Sequence, residues 1–190
     1  MVYEERQIRA KLEQAVRHMI IYRFGVLKPY WDEYIDDINV KVVHPKRLWF
    51  ARYGSSEDEI PVIIEKIDMT IDEIESLWGA EVAKRVKQEA QEQPNDRDKV
   101  IRTVQIFEYT TNDFKFWKCG QYILHKQENP SFDFSSPSTD ELGDGTENLA
   151  RNHFARARKE YIILSAFRIG NSVVGSTSLI EQTIPINDII

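Results

Sequence analysis

Ala15-Val16-Arg17-His18-Met19-Ile20-Ile21-Tyr22-Arg23-Phe24-Gly25-Val26-Leu27-Lys28-Pro29-Tyr30-Trp31 decides the fold class, because the hydrophobic period changes inside it. Upstream, Ile8, Leu12, Ala15, Val16, Met19 and Ile20 recur at three- and four-residue steps, the spacing of one helix face. This predicts an amphipathic helix over 3–23. Glu13 and Arg17 form a stabilising pair on its wetter side, and Gly25 reads as its stop. From Val26 the period is two. Val26–Trp31 reads as a strand, Asp32–Asp37 as an acidic turn, and Ile38–Val43 as a second strand alternating Ile38, Val40 and Val42. A helix feeding antiparallel strands points to an α+β chain.

Working toward the C-terminus, Leu48-Trp49-Phe50 continues the strands after Pro45, and 54–59 is a polar loop. Thr70 is a helix cap with Glu73 three residues on, the spacing of a capping box. Ile71, Ile74, Leu77 and Trp78 form the expected buried side of that helix, and Gly79 breaks it. Glu81–Gln93 is a second, polar helix that Pro94-Asn95 ends. Three strands then form a meander over 99–127: Val100–Tyr109, Phe114–Cys119 and Gln121–Lys126. Asn129–Asn148, rich in Ser, Pro, Asp and Gly, is a long loop, and Glu160–Phe167 is a last strand. In the run Gly170-Asn171-Ser172-Val173-Val174-Gly175-Ser176-Thr177-Ser178-Leu179-Ile180-Glu181-Gln182-Thr183-Ile184-Pro185, Ser178 and Glu181 repeat the capping-box spacing and open a helix. Apolar residues run on to Ile190, and the first helix starts without a cap, so the expectation is a piece incomplete at both ends.

Composition narrows the function classes. The 190 residues are 42% hydrophobic, with only 8 Gly and 7 Pro, which suits a packed core rather than a disordered chain. A net charge of −6 and a pI near 5.3 argue against tight nonspecific DNA binding by the whole surface. No apolar run approaches membrane-spanning length, and the charged N-terminus lacks a signal-peptide core, so no membrane partner is expected. Cys119 stands alone, so no internal disulfide can form; an intracellular assembly site and a structural role for this thiol are the simpler readings.

Several short segments resemble one known family in their order and spacing. Gly170–Ile190 resembles the passage of tailed-bacteriophage portal proteins in which a Gly-containing loop leads into "TSLIEQ-IP-Q" at a helix start. Tyr22-Arg23-Phe24-Gly25-Val26-Leu27-Lys28-Pro29-Tyr30-Trp31-Asp32 is similar to the family's "G-V-L-K…W-D" passage. Val43-His44-Pro45-Lys46-Arg47-Leu48-Trp49-Phe50 is similar to its "V-x-P-x-x-(I/L/V)-x-(F/V)" strand, and Met69–Gly79 resembles "M-T-x-x-E-(L/I)-x-x-x-(F/W)-G". Together they span 22–190.

The resemblance implies an incomplete wing-and-stem portal core covering 1–190. It comprises a helix over 1–25, an α/β wing-like part over 26–93, a β meander over 99–127, a charged loop or insertion over 128–159, and a strand and helix start over 160–190. It also implies a structural subunit of a dodecameric head-to-tail connector ring in the virion, assembled in the bacterial host cytoplasm. Such a ring would partner terminase, capsid and tail-adaptor proteins and pass double-stranded DNA during genome packaging and ejection. It implies no catalytic residue, no metal and no cofactor. The alternatives are a metal-dependent nuclease-like domain and another virion adaptor-ring protein.

Other constellations in the sequence have plainer explanations beside their functional ones. Glu108 followed by Asp113-Phe114-Lys115 across a hairpin is the acid and acid-x-Lys arrangement with which nucleases hold magnesium near a scissile phosphate, though such patterns arise often in charged strands. His18, His44, His125 and His153 lack metal-ligand spacing and read as ordinary imidazoles. Trp31, Trp49, Trp78 and Trp117, with Tyr30, Phe50 and Phe116, could stack bases, but their aliphatic neighbours favour core packing. Asp32-Glu33 and Asp36-Asp37 read as a solvated tip, lacking the spaced ligands and turn glycine of a calcium loop. Between Glu128 and Glu147 stand six acids, Asp140, Glu141 and Asp144 among them, and no Lys or Arg; Arg151, Arg156, Arg158 and Lys159 follow. A solvated loop with its own counterions explains this. The functional reading is a head-to-tail contact in which one subunit's basic segment meets the next subunit's acids, and DNA-phosphate contact by the arginines is a third option.

Overall fold

The computed structural model describes residues 7–32, 34, 36–51, 59–91, 103–130, 132–134, 156–166 and 178–181. In chain order the elements are α1 (Ile8–Tyr22), β1 (Phe24–Asp32), β2 (Asp37–Val43), a 3-10 turn (Pro45–Arg47), β3 (Leu48–Phe50), β4 (Ile63–Thr70), α2 (Ile71–Trp78), α3 (Ala80–Gln91), β5 (Thr103–Thr110), β6 (Phe114–Cys119), β7 (Tyr122–Glu128) and β8 (Ile162–Ser165). The fold is α+β. It divides into two compact units, Met1–Pro61 with Lys159–Ile190, and Val62–Arg158, where the sequence suggested one. Among the described residues no helix is long and apolar enough to cross a membrane.

In the first unit the three-stranded sheet has the order β2-β1-β8. β1 pairs antiparallel with β2 from Val26↔Val43 to Asp32↔Asp37, and with β8 from Phe24↔Ser165 to Leu27↔Ile162. Val26, Val43 and Ile163 share one buried face, joined by Tyr161 and by Lys28, whose Nζ sits 5.0 Å from the Tyr161 ring centroid. A buried ammonium over an aromatic face recovers part of its lost hydration.

α1 begins at Gln7, which is left-handed at φ 51° and makes no side-chain cap, as the sequence suggested. Its end differs from expectation. Arg23, at φ 79°, terminates the helix, and Gly25 lies inside β1. A Cβ at Gly25 would overlap the Ala15 carbonyl, so this glycine is needed for close approach of strand to helix rather than as a stop. The capping box at Ser178 forms as read: Ser178 N donates to Glu181 Oε2 at 3.0 Å, and Glu181 N donates to Ser178 Oγ at 3.0 Å. Residues 182–190 lie outside the described residues.

In the second unit β4, β5, β6 and β7 are antiparallel neighbours in that order. The sequence suggested only the last three, because β4 meets β5 across two helices (Ile63↔Thr110 to Thr70↔Thr103) and local spacing carries no sign of that pairing. Ile74, Ala83, Val86, Ile106, Cys119 and Leu124 form the core between the helices and one sheet face. α2 starts with the expected box, Glu73 N donating to Thr70 Oγ1 at 3.2 Å and Thr70 N donating to Glu73 Oε2 at 2.7 Å. Gly79, at φ 90°, ends it.

Leu77 was expected on the buried side and is instead 62% exposed. At about 100° per residue, Ile71 and Trp78 flank Ile74 on one side of the helix and Leu77 falls on the other. α3 also braces the β6–β7 turn, where Glu89 Oε1 accepts from Gln121 N at 3.0 Å.

Candidate functional site

The nuclease-like pattern can be placed residue by residue. Glu108 and Lys115 lie on neighbouring strands and are both buried, at 4% and 8% exposure, whereas Asp113 is exposed at the turn between those strands. The acid-x-Lys pair is therefore divided between a core and a loop. The register adds a residue that sequence reasoning missed: Glu65 on β4 stands opposite Glu108 and is 1% exposed. Glu108 Oε2 accepts from Trp117 Nε1 at 3.1 Å, and its Oε1 accepts from Thr110 Oγ1 at 3.3 Å. Lys115 Nζ stands 5.9 Å from the Trp117 ring centroid. The Trp117 contact ties β5 and β6 together by polar side chains; a buried carboxylate needs such donors to offset its lost hydration. Among the described residues no group of three or more His, Cys, Asp or Glu is placed to hold a metal ion.

The basic and acidic segments are placed only in part. Arg156 and Arg158 are exposed, and the Arg158 carbonyl accepts from Asn129 Nδ2 at 2.6 Å. The same amide group donates to the Asn112 carbonyl at 2.7 Å, so Asn129 ties the segment to the β5–β6 turn. Lys159 is 8% exposed and so does not belong to an open basic face, which corrects the sequence reading. Arg151, Asp140, Glu141 and Asp144 lie outside the described residues.

The histidines are less scattered than their numbering suggests. The His18 and His44 ring centroids are 4.8 Å apart, and Tyr22 lies 5.0 Å from His44. His44 Nδ1 accepts from Lys46 N at 3.1 Å and caps the 3-10 turn. His18 Nδ1 is buried with no hydrogen-bond partner. Burial, and then the neighbouring His44, hold the His18 pKa below its usual value. Spacing could not have shown this pair, since α1 and the 3-10 turn are joined only through the β1–β2 hairpin.

The tryptophans divide between two roles. Trp78 and Trp117 pack on the core with centroids 5.6 Å apart, as core packing required. Trp31 and Trp49 are 58% and 46% exposed, against that expectation. The Asp32–Asp37 turn is partly held by its own backbone and amides rather than simply solvated: Asp32 accepts from Tyr34 N and from Asn39 Nδ2, and Asp37 accepts from Ile38 N. Cys119 is buried and free, and burial, followed by the Glu89 charge, pushes its thiol pKa up, as suits a structural cysteine.

At the C-terminal side of the first unit, Glu181 also accepts from Arg23 Nη2 at 2.7 Å and Nε at 3.0 Å. The Arg23 hydrogen bonds, and then the Ser178 backbone N–H, hold its carboxyl pKa below the usual range. Arg23, at the end of α1, and Glu181, in the capped helix start, thus meet through this clamp. No family model matches the chain, and no curated protein matches it.

Proposed function

We propose that this chain is part of a phage portal subunit, a structural component of a connector ring through which the genome is packaged and ejected. The observation that carries the reading is the order and spacing of four portal-like segments across 22–190. The local physics of these segments supports it. Met69–Gly79 is one self-contained device, a strand end, a capped helix and a terminating glycine. Ser178–Glu181 is a second capped helix start. In this reading the polar cluster at Glu65, Glu108 and Lys115 holds the sheet, the subunit performs no hydrolysis, and terminase, capsid and tail-adaptor proteins are its partners.

The test is assembly. Electron microscopy and native mass measurement of the purified protein should show closed rings with a central channel, and pull-down should recover terminase. Rings that bind tail components but not terminase would move the assignment to an adaptor ring. Magnesium-dependent DNA cleavage that Lys115→Ala abolishes, in a protein retaining its fold, would overturn the reading in favour of a nuclease.

A further inference from the structure

Three rings from two elements of the first unit meet where the 3-10 turn begins. His18 and Tyr22, one turn apart on α1, have centroids 6.0 Å apart; His44 lies 4.8 Å from His18 and 5.0 Å from Tyr22, all in edge contact. His44 also holds the turn itself. Its Nδ1 accepts from Lys46 N at 3.1 Å and its carbonyl from Arg47 N at 2.8 Å, after which Leu48 N donates to the Pro45 carbonyl. Pro45 and Leu48 are buried. One side chain thus both caps the turn and fastens it to the helix.

Acid has a definite target in this arrangement. A proton on His44 Nδ1 and the hydrogen bond from Lys46 N exclude each other, because both need the same lone pair. His18 is half-buried, and its Nδ1 is enclosed with no hydrogen-bond partner, so a charged ring gains no acceptor at that atom. Burial, and then the His44 ring, hold its pKa below the ordinary value. Two imidazolium rings at this separation repel each other. A third cation, Lys46 Nζ, stands 5.7 Å from the Tyr22 centroid.

The charges on the surrounding elements are spoken for or distant. On α1, Glu13 pairs with Arg9, Arg23 with Glu181 and Lys11 with Asn39, while Arg17 adds a cation, as Arg47 does on the turn. On β1 and β2, Lys28 lies over Tyr161 and Lys41 stands opposite Lys28. Asp32 and Asp37 are at the far end of the ladder from Val26↔Val43, ~20 Å away, with Tyr30 beside them and Asp36 beyond. β8 carries no charged residue. Among the described residues, no carboxylate is hydrogen-bonded or ion-paired to either imidazole.

We propose that His18 and His44 form an acid-sensitive latch: as pH falls the two imidazoles take up protons, the cap on Lys46 N is lost, and the 3-10 turn parts from α1 while both sheets stay folded. The latch is closed at neutral pH and opens below it, because the open form binds more protons. The inference goes beyond the portal reading and does not depend on it, since it needs no ring, partner or DNA.

The test is amide exchange of the whole chain, read by NMR between about pH 7 and pH 5 and corrected for intrinsic exchange. Protection of the Lys46, Arg47 and Leu48 amides should fall by more than tenfold per pH unit, toward the roughly hundredfold that uptake of two protons allows; one proton allows about tenfold. Amides of β1 and β5 should hold. His18→Phe keeps a ring and removes one titrating group. His44→Asn keeps an acceptor for the Lys46 N–H and removes the other. Each should leave about a tenfold dependence, and the double variant none. His44→Ala deletes the acceptor and should leave the turn about fivefold less protected already at neutral pH, the scale of a lost cap. Circular dichroism should show all these variants folded at neutral pH.

Protection of the turn that ignores pH in the parent chain, or a pH dependence that survives in the double variant, would overturn the latch. So would unchanged protection in His44→Ala, since the turn would then not depend on the cap. Loss of protection in β1 and β5 in step with the turn would overturn it too, by showing that acid unfolds the whole molecule rather than this one connection.

Discussion

Each of the two units is held by its own means. The second is built largely from neighbours in the chain: β5, β6 and β7 follow one another in sequence and in space, and a continuous apolar cluster, Ile74, Ala83, Val86, Ile106, Cys119 and Leu124, lies beneath two helices. The first closes its sheet with a strand from the far end of the chain, β8 against β1. It relies on particular contacts: a helix backbone pressed against Gly25, an ammonium over Tyr161, and the Arg23–Glu181 clamp. A distributed core loses stability in proportion to the volume removed, whereas a contact-limited unit responds to a few positions and to pH.

That contrast can be broken experimentally. The largest effect is expected from Ile106→Ala, which empties the centre of the second unit's core and should cost about 4 kcal/mol. In amide exchange the loss should concentrate in β5, β6 and α3, with β1 and β2 little changed. Gly25→Ala comes next. Its methyl has no space against the Ala15 carbonyl, so α1 must move off β1 at a cost of about 3 kcal/mol. Exchange should then rise in α1, β1 and β8 while β5 stays protected. Equal loosening of both sheets by either substitution would show that the units are not separately held.

Smaller effects sharpen the comparison. Thr70→Ala removes the cap of α2 and should cost about 1 kcal/mol in chemical denaturation, confined to the second unit. The first unit should instead carry a pH signature. The folded-state pKa of His18 lies below its usual 6.5, so the unfolded chain takes up the proton more readily. The associated stability is present above that value and is lost as pH falls beneath it. The Glu181 carboxyl, lowered from its usual 4.5, adds a second loss at more acidic pH. The melting temperature should therefore decline on acidification in two stages, and His18→Phe should flatten the first of them. A first stage unchanged in His18→Phe would remove His18 from the explanation.

Much of the secondary structure was legible because it rests on local rules. The boxes at Thr70/Glu73 and Ser178/Glu181 involve residues three apart, and a donor and acceptor at that spacing meet whenever a helix starts there. The period change at Val26 separated helix from strand for the same reason. Misreadings occurred where a residue type has two uses. Gly25 looked like a stop and is a point of close approach; Leu77 looked buried because an i+3 step from Ile74 can lead to either flank.

The candidate sites were less legible. The Glu108 and Lys115 pairing was visible through the hairpin spacing, but the carboxylate opposite Glu108, from Glu65, was not. The exposed Trp31 could not be told from the core Trp117, since both follow an aromatic residue on a strand and only burial separates them.

The sequence by itself determined the α+β class, both capping boxes, the meander and the structural cysteine, all of which depend on residue type and short spacing. Tertiary structure decided the rest: the β8–β1 and β4–β5 pairings, the meeting of His18 with His44, the burial of Lys159 and the exposure of the hairpin tip. Each of those outcomes is set by which distant surfaces come together, and chain positions far apart in sequence carry no local mark of the partner they will meet.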